Sequence, residues 1–284
     1  MSPSVKWAIR GRSFALAFIL CLMMNNSAQA SDFLTVTFTG EFWRFGENPT
    51  EPAQFLGRPG TTGANALAID STGRIIVGGS NLYENLQAFS LDSVSLEPFV
   101  TEEGFSITLD STRGLAFDAA DRLFAVTRNG STRGSQSSLE RIDLESGTVE
   151  RIATWPSEIG IQSLSFAADG QLFGWDVTGD AGLTRIDPET GALEEVDSTL
   201  PSLFNIQGMT VARDGRLLGI SGLLHEADPD SGSTSIVRLI GSGDYRGLIQ
   251  LPAIPEPGTA LLLGLGLVGL ATGRTARPSS RGVS

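Results

Sequence analysis

Four segments of the chain repeat one pattern, in which two short apolar runs are joined by a tight turn. The copies begin at Leu67, Leu115, Leu164 and Met209, so successive starts are 48, 49 and 45 residues apart. In the last two copies the turn contains Asp-Gly, which favours a hairpin because glycine accepts the positive φ that such turns require. Self-similarity at this period indicates stacked units, because a single unit cannot bury both of its faces.

A second hairpin is predicted after the first one in each copy. The turns Asp143–Gly147 and Asp187–Gly191 each lie between two apolar runs. The aspartate can accept hydrogen bonds from the turn backbone, and the glycine can take the left-handed position. Looser copies are predicted for three further pairs of runs: 86–91 with 96–100, 42–45 with 54–56 at the front, and 236–240 with 248–251 at the back.

Four strands in each repeat of this length predict a β-propeller. We therefore expect residues 31–253 to form an all-β, propeller-like domain of about five four-stranded blades. Counting second hairpins gives five blades, whereas counting first hairpins gives four. A five-bladed ring would therefore close by combining strands from the two ends of the domain in one blade. The segment 228–232 also resembles a second-hairpin turn, which leaves the strand register near the end open. A β-sandwich is the alternative architecture.

The start of the chain has the features of a secretory signal peptide. Three basic residues precede an apolar stretch at 14–24, and Ala28-Gln29-Ala30 is a small-x-small site for signal peptidase. We expect a signal peptide at 1–30 that is cleaved after Ala30. An uncleaved N-terminal anchor and a lipidated Cys21 are the alternatives. Because Cys21 is the only cysteine, cleavage would leave a mature chain without thiol chemistry.

Charge is distributed unevenly along the chain. All 32 acidic residues lie between residues 31 and 273, alongside 14 arginines, which gives that part a formal net charge of −18. Nucleic-acid binding requires clustered cations that release counterions, so this composition argues against a nucleic-acid partner. An acidic surface instead favours solubility and attracts cations.

The last thirty residues form a three-part segment. Pro255-Glu256-Pro257 is followed by an apolar, glycine-rich stretch at 259–273 and then by Arg274, Arg277 and Arg281. The prolines break any helix before the apolar stretch and keep that part extended. A fifteen-residue helix is about 22 Å long. This is short for a hydrocarbon core of about 30 Å, although the basic end predicts a cytoplasmic C-terminus.

This arrangement resembles the PEP-CTERM sorting domain over residues 254–284. The resemblance implies a Gram-negative host and processing by an exosortase, a membrane protease-transpeptidase that would recognise Pro255, Glu256 and Pro257. Arg274 and Arg277 would form the basic end, although they are more widely spaced than the family's usual arginine cluster. The family is often associated with exopolysaccharide and biofilm matrix. Its upstream domains are diverse, so the resemblance implies a destination and not an activity.

Residues that could carry out chemistry are scarce in the body. His225 is the only histidine, which excludes multi-histidine metal sites, and we expect it in a loop. Asp228 and Asp230 are candidate calcium ligands, but their spacing lacks the EF-hand pattern, and a turn-forming role is the alternative. The glycines at 264–269 match a dinucleotide fingerprint without the strand and downstream acid that it needs. No cofactor is predicted.

The sequence thus predicts a non-enzymatic, exported protein that is held at the inner membrane by its tail and then released to the cell surface or extracellular matrix. Its partners would be signal peptidase, an exosortase and a surface protein or exopolysaccharide. One alternative is a propeller-type hydrolase or lactonase that acts on extracellular glycans or small esters. Buried acids with raised pKa values at the central channel would favour that alternative. The other is a permanently anchored structural protein.

Overall fold

The computed structural model describes residues 32–60, 62–79, 85–129, 135–178, 182–196 and 205–252. Contacts divide the chain into two units, Met1–Leu251 and Pro252–Ser284. The strands of the described ranges all lie in the first unit and form five four-stranded antiparallel sheets. These sheets are the blades of a propeller, so the predicted propeller of about five blades is confirmed and the β-sandwich alternative is wrong.

Each blade is a meander that runs from an innermost strand at the channel to an outermost strand at the rim. In that order, blade 1 contains β20 (Tyr245–Gln250), β1 (Asp32–Thr37), β2 (Phe42–Gly46) and β3 (Gln54–Gly57). Blade 2 contains β4 (Ala64–Ile69), β5 (Ile75–Gly79), β6 (Gln87–Ser90) and β7 (Ser95–Pro98). Blade 3 contains β8 (Ser111–Phe117), β9 (Leu123–Arg128), β10 (Ser137–Ile142) and β11 (Val149–Trp155). Blade 4 contains β12 (Ile161–Phe166), β13 (Leu172–Asp176), β14 (Gly182–Ile186) and β15 (Leu193–Glu195). Blade 5 contains β16 (Gly208–Val211), β17 (Leu217–Ile220), β18 (Leu223–Ala227) and β19 (Thr234–Leu239).

The ring closes through blade 1, which takes strands from both ends of the domain. The last strand, β20, is innermost and pairs antiparallel with β1, with Leu34 opposite Ile249. Thr35 Oγ1 reinforces the pairing by donating a hydrogen bond of 2.8 Å to the Gly247 carbonyl. The expected mixing of terminal strands is therefore confirmed. The expected hairpin of 236–240 with 248–251 is wrong, because the first run begins in β19 of blade 5 and the second begins in β20 of blade 1.

The aspartate-containing turns decide the strand register near the end of the domain. Asp228 Oδ1 accepts hydrogen bonds from the backbone N–H groups of Asp230 (2.8 Å) and Ser231 (3.1 Å). Gly232 has a φ of 66°, which only glycine adopts readily. This turn joins β18 to β19, so it is the second hairpin of blade 5. The front half-copy behaves as predicted, because β2 pairs with β3.

Adjacent blades are joined by apolar packing and by polar contacts. The rings of Phe42 in blade 1 and Phe89 in blade 2 stack with centroids 4.1 Å apart. Trp155 Nε1 donates a 2.8 Å hydrogen bond to the Gly191 carbonyl, which links blades 3 and 4 in a buried setting. Arg216 of blade 5 lies 2.7 Å from Glu47, which follows β2 of blade 1. Each blade thus buries its faces against its neighbours, as the repeat pattern requires.

The described ranges contain no apolar helix long enough to cross a bilayer. The helix predicted at 259–273 and the signal peptide predicted at 1–30 lie outside the described residues.

Candidate functional site at the channel entrance

The five innermost strands surround the axis of the propeller. Strand β4 neighbours β8, and the order continues through β12, β16 and β20 before returning to β4. Where these strands end, they line a cavity of about 150 Å³. Most of its lining residues are apolar in type, Ser165 and Thr210 being the polar ones, but the surface that lines the cavity is mainly polar. We call the opposite end of the channel, where the strands begin, the channel entrance.

Small residues bring the inner strands close together near the entrance. They occupy the position just before each repeat start and its equivalent in β20, and they form the small-residue ring: Ala66, Gly114, Ser163, Gly208 and Gly247. A Cβ atom on Gly114 would lie 2.8 Å from the backbone nitrogen of Leu164 in the next blade. The backbones themselves make contact here, because the Gly247 N–H donates a 3.2 Å hydrogen bond to the Gln207 carbonyl.

One residue earlier, all five inner strands or the residues leading into them carry a polar side chain. These residues form the polar ring: Asn65, Arg113, Gln162, Gln207 and Arg246. The strand register shifts beside Asn65, at Arg113 and between Ile161 and Leu164, as expected of β-bulges, which re-aim side chains. The polar ring therefore combines two guanidinium groups with three amides and has no carboxylate.

One hydrogen bond joins two members of the polar ring, and two others join a member to the neighbouring blade. Arg246 Nη1 donates to Asn65 Oδ1 at 3.2 Å, which joins blades 1 and 2. Asn65 Nδ2 donates to the Thr112 carbonyl of blade 3, also at 3.2 Å. Gln207 Nε2 donates to Asp244 Oδ1 at 3.4 Å. The ring is thus held by contacts that pass from one blade to the next.

Arg113 lies in an unfavourable electrostatic setting. Burial, followed by the positive charges of Arg128 and Arg246, lowers its pKa to about 10. Arg113 and Arg246 belong to blades 3 and 1, which are not adjacent, so this repulsion acts across the channel. Among the described residues Arg113 forms no ion pair, and its buried Nε has no hydrogen-bond partner.

Arg246 and Arg128, the two arginines that lower the pKa of Arg113, have acidic neighbours. Both guanidinium contacts of Arg246 with Asp244 measure 2.9 Å. Burial lowers the pKa of Arg128, while the charge of Asp176 opposes that shift. Asp176 also accepts hydrogen bonds from the N–H groups of Gly160 (2.9 Å) and Thr178 (2.8 Å). Within the described residues Arg128 forms no ion pair, and its buried Nε also lacks a hydrogen-bond partner. Three guanidinium groups therefore lie near only two carboxylates, which leaves an excess of one positive charge.

The histidine does not lie where the sequence suggested. His225 is a fully buried residue of β18 and not a loop residue, so that expectation is wrong. Its Nε2 is 2.9 Å from Ser221 Oγ, and burial lowers its pKa. The prediction is wrong because it puts the second hairpin of blade 5 at 236–240 and 248–251, whereas that hairpin is formed by β18 and β19 and therefore includes residues 223–227.

The two candidate calcium ligands lie on the turn between β18 and β19. Asp228 accepts hydrogen bonds from its own turn backbone, and the equivalent Asp143 and Asp187 do the same. Asp230 is highly exposed and lies 3.4 Å from the Arg185 guanidinium, a cation that would compete with a metal ion. Within the described residues, no group of three or more His, Cys, Asp or Glu side chains is arranged to hold a metal.

The remaining predicted site residues lie outside the described residues: Ala28 and Ala30 at the signal cleavage site, and Pro255, Glu256, Pro257, Arg274 and Arg277 in the tail. For the tail, a comparison with protein families is decisive, because residues 253–277 match the PEP-CTERM protein-sorting motif. The chain carries a PEP-CTERM sorting motif. This motif implies export, processing by an exosortase and sorting to the cell surface. No curated protein matches the chain.

Solved structures share the fold of the body upstream of the PEP-CTERM motif. One comes from a study of the de novo evolutionary emergence of a symmetrical protein (17% identity, TM-score 0.51, 78% of this chain and 99% of that chain). Another is a putative gluconolactonase (14% identity, TM-score 0.50, 80% of this chain and 87% of that one). A gluconolactonase from Xanthomonas campestris is less similar (14% identity, TM-score 0.47, 77% and 78%). At these identities the likeness concerns the propeller fold alone.

The polar ring was not predicted from the sequence, although a signal for it exists. Its members stand two residues before the repeat starts Leu67, Leu115, Leu164 and Met209, and two before Leu248. Extending the repeat alignment by two residues toward the N-terminus would have revealed the four members that precede repeat starts. Arg246 would still have been missed, because β20 was not recognised as an inner strand.

Proposed function

We propose that this protein is an exported surface or extracellular-matrix protein whose propeller binds a partner without catalysing a reaction. The observation that carries the proposal is the sorting motif at 253–277, which begins three residues after the last propeller strand ends at Gln250. The motif implies sorting to the cell surface, and the domain that would be sorted is a complete five-bladed propeller. The partner would be an exopolysaccharide or another surface protein.

The tail would act as a temporary anchor. After export, the apolar stretch at 259–273 would hold the protein in the inner membrane while an exosortase cuts near Pro255-Glu256-Pro257. Mass spectrometry of the surface-exposed protein tests this step. We expect a C-terminus close to the Pro-Glu-Pro sequence. Recovery of surface protein that still carries Arg274 would favour the permanently anchored alternative.

A non-catalytic role is supported by the acidic groups of the body. A general acid at a channel site needs a carboxyl group with a raised pKa. The carboxyl groups with shifted pKa values in the described residues all shift downward, for Asp70, Asp143, Asp187, Asp214 and Asp228. The buried Asp176 is engaged with backbone N–H groups and with Arg128. These carboxylates therefore serve as hydrogen-bond acceptors.

A glycan array with the full chain, run with and without calcium, tests the binding role. We expect a saturable signal that does not require calcium. A parallel assay for hydrolysis of lactones and glycans tests the enzymatic alternative. Turnover together with a flat array would overturn the binding proposal.

A further inference from the structure

We propose that the polar ring at the channel entrance binds the carboxylate group of a small hydroxylated anion, such as an acidic sugar. This inference rests on the proposed binding role of the propeller and names the ligand class for it. Arg113 and Arg246 would contact the carboxylate, Asn65 would hold Arg246 in place, and the amides of Gln162 and Gln207 would contact the hydroxyl groups.

The channel entrance has an excess of positive charge. Arg246 is paired with Asp244 at 2.9 Å, whereas among the described residues Arg113 forms no ion pair and its buried Nε has no hydrogen-bond partner. A partly buried cation without a counter-ion is costly, because it loses hydration without gaining a compensating interaction. An anion bound at Arg113 would supply that interaction.

The surroundings make this charge arrangement unusual. The residues between 31 and 273 carry a net charge of −18, and most arginines of the described ranges form ion pairs with acids. At the entrance, by contrast, three arginines lie near one another and only Arg246 forms an ion pair among the described residues, and burial together with this proximity lowers the pKa of Arg113. A positive entrance in an acidic protein focuses anions at one place on the surface.

The single uncompensated charge favours a carboxylate. A singly charged carboxylate matches one excess guanidinium, and guanidinium groups bind carboxylates through two parallel hydrogen bonds. The amide side chains offer both donors and acceptors, which suits hydroxyl groups. Gln162 and Gln207 are both at least nine-tenths buried, so their orientation is restricted by packing. Inorganic phosphate offers the same oxyanion chemistry, but it carries more charge and no hydroxyl-bearing ring.

Isothermal titration calorimetry with the full chain in a non-ionic detergent tests the inference. The probes are glucuronate, glucose and inorganic phosphate. We expect glucuronate to bind, glucose to give no signal and phosphate to bind more weakly than glucuronate. Arg113→Gln should weaken glucuronate binding about tenfold or more, because it removes a charge-assisted hydrogen bond.

Arg58→Gln is the matched control, because it removes the same charge from a side chain that is 50% exposed. It should leave glucuronate binding unchanged. Arg113→Lys, which keeps the charge and loses the planar fork, should bind glucuronate more weakly than the wild type. This variant also covers the case in which Arg113→Gln does not fold.

Three outcomes would overturn the inference: no glucuronate binding, stronger binding of phosphate than of glucuronate, or unchanged binding in both Arg113 variants. The wild-type glycan array separates this failure from failure of the proposed function. If the wild-type array gives a saturable signal with a ligand while glucuronate does not bind, the carboxylate site is refuted and the binding role stands. The processing of the tail is measured independently.

Discussion

The backbones of Gly208 and Gly247 approach so closely that a Cβ atom on Gly208 would lie 2.6 Å from the carbonyl carbon of Gly247. These residues belong to the inner strands of blades 5 and 1, and Gly208 has no positive φ that would otherwise require glycine. Glycine is therefore required at position 208 because there is no room for a side chain, and not because of its backbone conformation. The close approach fixes how narrow the channel is at the small-residue ring.

Gly208→Ala should destabilise the propeller by about 1–3 kcal/mol, because the added methyl group forces two backbones apart. Denaturant unfolding of the full chain in detergent measures the effect. Gly170→Asn is the control, since a Cβ atom there meets nothing within 4 Å and asparagine tolerates positive φ. If Gly208→Ala unfolds at the wild-type denaturant concentration, the close approach is not real.

Closure of the ring by β20 predicts the effect of a second substitution. Leu248 is 1% exposed, and Leu248→Ala should cost about 2–5 kcal/mol of unfolding free energy. Leu239→Ala makes the same chemical change at a residue that is 68% exposed, so its effect should stay within about 0.5 kcal/mol. Equal effects of the two changes, measured by thermal or denaturant unfolding, would contradict the placement of β20 inside blade 1.

The buried histidine predicts a pH dependence of stability. Burial lowers the pKa of His225 below its ordinary value of 6.5, so the unfolded chain takes up a proton at a higher pH than the folded chain does. Stability from this group is therefore complete above pH 6.5 and is lost as the pH falls toward the folded-state pKa.

We expect the unfolding free energy of the wild type to decrease between about pH 7 and pH 5, in the range where histidine titrates. In His225→Gln this slope should be shallower, and because His225 is the only histidine no second imidazole confuses the result. Denaturant unfolding at several pH values measures the slopes. Parallel slopes in the two proteins would contradict a lowered pKa for His225.

Asp70 predicts a separate transition at lower pH. Burial alone would raise its pKa, but hydrogen bonds from Thr72 and Arg74 outweigh burial, so its pKa lies below the ordinary 3.8. Its stabilising effect is present above pH 3.8 and is lost as the pH falls through the folded-state pKa.

Asp70→Asn should therefore lower the unfolding free energy by about 1–3 kcal/mol at neutral pH, because it weakens a hydrogen-bonded charge. The difference from the wild type should shrink in acid, as measured by unfolding from neutral pH downward. Asp230→Asn, at a side chain that is 94% exposed, serves as the control and should show no comparable change. A difference that stays constant in acid would show that the charge of Asp70 is not involved.

Local signals in the sequence were sufficient for most of the fold. The starts at Leu67, Leu115, Leu164 and Met209 all fall in inner strands, and the turns after Asp143 and Asp187 join the outer strands as expected. These features depend on residues that are close together in the chain. A repeat pattern of apolar runs and turn residues records them directly.

Features that depend on distant residues were predicted only in outline, because the mixing of terminal strands was expected but the strand that pairs with β1 was not identified. Strand β20 pairs with β1 across more than 200 residues, as in the contact of Thr35 with Gly247, and no local pattern announces such a pairing. Of the polar ring, four members stand two residues before repeat starts, and only Arg246 depends on the long-range placement of β20. His225 was misplaced for a related reason, since its burial follows from the register of blade 5.

The pairing of β20 with β1 also sets a time order for export. A chain that crosses the membrane from its N-terminus cannot complete blade 1 until Gln250 has emerged, and the sorting motif follows from residue 253. The ring therefore stays open through nearly all of translocation. The tail that we propose as a temporary anchor follows directly after the strand that allows closure, so retention by the tail would give the propeller time to close before the protein leaves the membrane.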